Sequence, residues 1–301
     1  DVDSGSDVDS GSDVDSGSDV DSGSDVDSGS DVDSGSDVDS GSDVDSGSDV
    51  DSGNDVDSGS EDLLADELET LCNDGAPRGV NIFVENDGWI VAEVEDGHYT
   101  ADNEKWQFHN TPAGNNQSPQ NGFSGTGYRE WVSDSDLQRG GVLTSRDIIF
   151  FDIFIQSPGT YLVVLRGLIN AGTSDSENND AWLSVQRSDD YYAYQVIDGI
   201  DHFTYPDSSN QAGARGFFRA YTEITDRWGY ESKTVDSSNY RIYARFDTPG
   251  LKVVRVGGLS RGYAIDQIVL TSDPAWDADR LSDRNEALEQ TDTQVIYTCD
   301  E

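Results

Sequence analysis

Three stretches of the chain set flat aromatic rings beside amides and carboxylates. SENNDAWLS places Asn178, Asn179 and Asp180 just before Trp182, SDDYY puts Tyr191 and Tyr192 behind two acids, and DRWGYES carries Trp228 and Tyr230 in a polar, glycine-containing segment. An aromatic face stacks on the apolar face of a sugar ring while amides and carboxylates orient the hydroxyls, the usual chemistry of a shallow saccharide site. Asn179, Trp182, Tyr191, Tyr192, Trp228 and Tyr230 are therefore candidate glycan contacts. Trp228 leads, because its neighbours read as loop. Most aromatics of a packed β domain lie in its core, so burial is the alternative for each of them.

Motifs for other chemistry are missing. There is no GxSxG turn, and GTGYRE at 125–130 lacks the third glycine of a dinucleotide loop. His98, His109 and His202 have neither HExxH nor CxxC company. Paired acids for glycoside hydrolysis lose diagnostic value in a chain with 61 Asp and Glu. The expectation is a protein that is not an enzyme.

Charge narrows the partners. Twenty acids lie in residues 1–60, and the rest of the chain still holds more than two acids for each of its 18 Lys and Arg. Such a surface repels phosphate backbones, which argues against nucleic acid and anionic membranes. No run of about 18 apolar residues offers a membrane span. The chain holds no Met and starts inside a repeat, so a start codon and any export signal are expected outside it.

The elements that must position these residues lie beyond residue 61, where all the Trp, Tyr and Phe are found. EDLLADELETL at 61–71 spaces Leu63, Leu64, Leu68 and Leu71 as a short amphipathic helix. Short strands follow at 80–84, 89–95, 105–109, 128–132, 147–155, 160–167, 181–187, 216–224, 240–246, 251–257 and 263–271, many separated by Asn-Asp-Gly, Pro-Gly or Gly-Gly. FDIFIQSPGTYLVVLRG and YARFDTPGLKVVRVGG each read as an antiparallel hairpin around Pro-Gly. This is the pattern of an all-β, jelly-roll β-sandwich, preceded by an extended or fibrous low-complexity repeat. The predicted boundaries are 1–60 for the repeat, 61–79 for helix and linker, 80–275 for the sandwich and 276–301 for a C-terminal extension. Cys72 and Cys299, the two cysteines, bracket the globular part. A disulfide between them suits an oxidising exterior and would pin that extension.

EVEDGHY after WIVA, then GTGYREWV, SPGTYLVVLRG, NNDAWLSV and GGLSRGYAIDQIVLTSD resemble successive strands of malectin-like domains and of carbohydrate-binding modules of the family 6 and 35 type. The likeness spans roughly residues 80–273. It implies a non-catalytic sugar-binding sandwich with a structural calcium held by a Glu-x-Glu strand and an Asp of the last strand. The matching positions are Glu93, Glu95 and Asp266. Hard cations do take carboxylate oxygens; the alternative is that Glu93 and Glu95 form a solvated strand face.

The first sixty residues are ten copies of DVDSGS with Asn54 as the one lapse. Ordering a residue costs about 1–2 kcal/mol in backbone entropy, whereas one buried Val per hexapeptide returns only about 1.5–3 kcal/mol. Alone, the tract is a polyanionic spacer about 200 Å long when extended. Four uses compete: a flexible linker, a calcium-ordered repeat, a left-handed β-helix with Val every six residues, and a scaffold for O-linked glycans at Ser4, Ser6, Ser10, Ser12, Ser16, Ser18 and their equivalents. Together with the sandwich, the repeat implies a secreted or cell-surface structural or adhesive protein, a stalk that self-assembles into fibres and carries a polysaccharide-binding domain. The alternative is an ancillary module and acidic linker of a secreted polysaccharide-degrading enzyme. The energy deficit predicts that a synthetic, unmodified DVDSGS polymer in chelator shows a disordered circular-dichroism spectrum. A β spectrum under those conditions would mean that the tract orders itself.

Overall fold

The computed structural model describes residues 68–299 apart from 74–77, 101–102, 116–117, 121, 134–142, 173, 207–214, 232, 235–239 and 278–280, together with the Val-Asp strands of the repeat. The chain divides into two units, Asp1–Asn73 and Asp74–Glu301. In the first, ten two-residue strands from Val2–Asp3 to Val56–Asp57 pair in parallel with strands 18 residues away. Three separate ladders result, and Val faces Val and Asp faces Asp in each register. The pairing period is thus three hexapeptides. The serines named above lie outside the described residues, as do residues 61–67 of the expected helix; residues 68–73 are helical.

The second unit is mostly β. Its strands are β1 Asn81–Val84, β2 Trp89–Glu93, β3 Trp106–His109, β4 Tyr128–Trp131, β5 Ile148–Ile155, β6 Gly159–Ile169, β7 Asp180–Gln186 and β8 Asp190–Ile197. Then come β9 Ile200–Thr204, β10 Phe218–Tyr221, β11 Gly229–Tyr230, β12 Tyr240–Phe246, β13 Gly250–Gly258, β14 Tyr263–Thr271, helix α1 Leu281–Thr293 and β15 Val295–Thr298. They form one curled, open sheet in the order β3-β4-β14-β6-β12, then Lys233–Thr234, then β10-β7-β13-β5-β1-β15. The curl brings both arms around one core. Ile149, Phe151 and Ile153 of β5, Val254 and Val256 of β13, Val163 and Leu165 of β6, and Ile265, Ile268 and Leu270 of β14 all belong to it.

A second apolar layer covers the outer face of β2, β14 and β6. There Val91, Val269 and Val164 pack with Trp276 and with Ala287 of α1. Neither α1 nor β15 was expected in the C-terminal extension, which instead completes the sheet: β15 runs antiparallel to β1 with Thr298 opposite Asn81. The helix escapes a periodicity reading because LSDRNEALEQTDT shows no apolar stripe, and among its described side chains Ala287 alone is buried. No cysteine is free, and Cys72 and Cys299 are disulfide-bonded.

Gly258 shows how closely the core is packed. A Cβ built there would overlap the buried Trp131 indole. Gly258→Ala should therefore cost about 1–3 kcal/mol of stability through overpacking. The expected readout is a lower urea midpoint with an unchanged slope; an unchanged midpoint would show that Trp131 can move aside.

Candidate functional site

The central strand β14 carries a bulge. Arg166 of β6 pairs with Gln267 and Gly167 with Ile265, so Asp266 has no partner on β6. On the other edge, β2 ends with Glu93 opposite Gln267, and β4 takes over with Arg129 opposite Ile265. Asp266 therefore sits where three strands leave a gap, fully buried. Bulges re-aim side chains in this way.

Polar groups converge on that gap from the outer face. The Ser124 amide donates to both oxygens of Asp266 at 3.1 Å, and Ser124 Oγ lies 2.8 Å from Asp266 Oδ2 and 3.0 Å from Glu93 Oε2. One hydroxyl carries one proton, so Ser124 can donate to one of the two carboxylates at a time. Arg166 pairs with Asp266 through one terminal nitrogen and donates through the other to the Gly122 carbonyl at 2.6 Å. Gln267 Nε2 donates to Glu93 Oε1 at 2.9 Å, while Tyr230 Oη donates to Gln267 Oε1 at 2.8 Å. Glu95 does not continue β2 as the sequence suggested. It lies on a 3-10 turn, Val94–Asp96, because pairing with β14 stops at Glu93. Its Oε1 accepts from Thr126 Oγ1 at 3.0 Å, and its Oε2 is buried without a partner. Gly125, at φ 57°, lets the loop pass between both glutamates; a Cβ there would strike Glu95 and crowd Glu93.

Burial and the charge of Asp266 push the Glu93 carboxyl up to about 8. Burial likewise raises Asp266 to about 6, with Arg166 and Ser124 opposing the rise. The oxygen-rich donor set, the orphaned Glu95 Oε2 and the uncompensated Glu93 suit a hard cation. As arranged, no three His, Cys, Asp or Glu among the described residues close into a metal cage.

Five of the six candidate sugar contacts are turned away from solvent. Trp228 is 7% exposed and packs 5.0 Å from Tyr128, with Leu168 and Ala264 around it. The segment expected to be loop holds β11, which pairs with β6 and sends Tyr230 under Trp276. Trp182 and Asn179 are also buried, and Tyr191 donates to the Leu183 carbonyl at 2.9 Å beneath Phe218.

Tyr192 differs. It stacks on Tyr243 at 5.7 Å and 22°, and it meets Phe203, which also packs 5.0 Å from Tyr194. These rings occupy one face of β12, β8 and β9, where Tyr192 pairs with Tyr243 and Tyr194 with Phe203. Phe203 is 53% and Tyr205 59% exposed. Sequence reasoning missed Tyr194, Phe203, Tyr205 and Tyr243, although the alternation of Tyr192, Tyr194 and Val196 was a signal for them.

No known sequence family and no curated protein matches the chain. Among solved structures, it is similar to a Podospora anserina GH26-CBM35 β-(1,4)-mannanase at 15% identity and a TM-score of 0.32, covering 62% of this chain and 28% of that one. A ruminal GH26 endo-β-1,4-mannanase aligns at 12% identity and a TM-score of 0.30, over 62% of this chain and 26% of that one. The chain thus spans under a third of each.

The buried carboxylates give a pH dependence with a definite sign. Between about 4.5 and 8 the folded chain retains a proton on Glu93 that the unfolded chain releases, so stability is fully present below this window and falls as pH rises through it. In chelator, the melting temperature should drop over that range, and Glu93→Gln should flatten the drop. An equal slope in the variant would show that Glu93 is not the group that titrates.

Proposed function

We propose that the second unit is a non-catalytic glycan-binding module of an extracellular structural or adhesive protein, its curled sheet a variant of the jelly roll. The aromatic face of Tyr192, Tyr194, Phe203 and Tyr243 carries this reading. Its half-buried tyrosines are held by mutual stacking, while Phe203 and Tyr205 remain open to solvent. Strand β9 pairs with β8 alone, so nothing among the described residues continues the sheet over that edge. A broad ring surface at a sheet edge can take an extended saccharide without enclosing it.

Calcium is proposed as a structural partner of this fold. Glu93, Glu95 and Asp266 would hold it, with the Ser124 hydroxyl beside them. Bound there, the ion supplies the positive charge that lets both buried carboxylates ionise together. The 18-residue register of the Val-Asp ladders supports a stalk built from the repeat, and the bonded cysteines support an oxidising exterior.

A glycan array probed with the full chain, Tyr192→Ala and Phe203→Ala tests the platform. At least one class of neutral or acidic glycan should bind the native chain, and each variant should bind about tenfold more weakly. Phe203→Ala, at an exposed position, should leave melting nearly unchanged. Calcium should raise the melting temperature of the native chain and not that of Glu93→Gln. No binding by the native chain, or native-like binding by both variants, would overturn the platform assignment.

A further inference from the structure

Five arginines of this acidic domain are ion-paired. Arg166, Arg219, Arg227, Arg241 and Arg245 each meet an aspartate. Arg129 lacks one; its two terminal nitrogens donate to the Trp106 carbonyl and the Tyr99 hydroxyl, and its Nε is buried without an acceptor. Arg255 is different. Half-buried on β13, it has no carboxylate partner among the described residues, and its side chain makes a single hydrogen bond, 2.7 Å to Ser184 Oγ. Its Nε is buried without an acceptor, and its guanidinium lies 4.3 Å over the Phe217 ring.

The surroundings of Arg255 supply the rest of a site. In register it stands between Ser184 of β7 and Phe150 of β5. Phe150 stacks on His98 at 5.4 Å, and His98 in turn engages Asp152, the neighbouring acid of β5, at 2.7 Å. Trp182 lies two residues before Ser184, on the same side of β7. Its indole nitrogen is buried and has no partner in a side chain only 8% exposed. A cation freed from acids, unpaired N–H donors and aromatic rings therefore share one face of the β7-β13-β5 arm. Leaving such donors unmet is costly, and a forked guanidinium matches a carboxylate or sulfate in two parallel hydrogen bonds.

We propose that this face is a second saccharide site, selective for a sugar that bears a carboxylate or a sulfate ester, with Arg255 as its anion-recognising residue. It extends the glycan-binding reading and does not involve the Tyr192 platform, which lies on β12, β8 and β9.

Proton–nitrogen correlation spectra of the full chain titrated with glucuronate, glucose 6-sulfate and glucose provide the test. The Trp182 indole and Arg255 Nε–H signals should shift with glucuronate, with glucose 6-sulfate or with both, and remain still with glucose. The charged sugar that moves them identifies the natural group. Arg255→Gln should weaken that binding about ten- to a hundredfold, the range for a hydrogen-bonded charge, and Tyr192→Ala should leave it intact. Failure of the platform alone would spare these signals, so the two readings fail separately. Signals that stay fixed with both charged sugars, or that move equally with glucose, would overturn the site. The native spectra decide this even if Arg255→Gln does not fold.

Discussion

A buried aspartate at a fault in the central strand organises the domain. Because Asp266 has no partner on β6, the polar set around it must come from elsewhere: Arg166 from the neighbouring strand, Ser124 from a loop and Glu93 from the end of β2. Each of these ties a distant part of the chain to one point. Gly122 to Thr126 is held through Ser124 and Arg166, and α1 is held through Thr291, which accepts from Gln267 at 2.9 Å. Apolar packing alone would leave the outer face of β14 free to take several coverings. The polar contacts select one, since a buried charge without its partners costs several kcal/mol.

Much of the sheet was legible because its strands alternate. The runs at 147–155, 160–167, 251–257 and 263–271 became β5, β6, β13 and β14, and their inward residues form the shared core. The family resemblance, rather than the residue pattern, implied that Glu93, Glu95 and Asp266 belong together, and all three reach the loop at Ser124–Thr126, though Glu95 arrives on a turn. The aromatic contacts were harder to place. Trp228 and Tyr230 look exposed in DRWGYES, yet two residues of pairing with β6 are enough to turn both rings inward. Composition signals polarity along the chain; which side of a strand faces solvent is set by partners far away in sequence. For the same reason the unpaired state of Arg255 is invisible in VVRVGG and appears only when the facing residues prove to be Ser184 and Phe150.

The acids and bases divide by depth. Most of the negative charge lies at the surface, where water and salt screen it, while of the buried cations Arg166 is matched to Asp266 and Arg129 and Lys252 lie over aromatic rings. The buried Asp147 is paired with the half-exposed Lys105, and the raised Glu93 marks a place where matching is incomplete.

The pairing of the first strand with the last has a mechanical meaning. Asn81 lies opposite Thr298, so tension applied at the two ends of this unit would open the β1–β15 seam one hydrogen bond at a time, the weakest geometry for a sheet under load. The bonded cysteines stand outside that seam at positions 72 and 299. Force entering from the repeat and leaving through the C-terminus passes across the covalent sulfur link and bypasses the folded loop between them. While oxidised, the domain bears no tension; a reducing environment would turn it into an extensible element that yields from its edge.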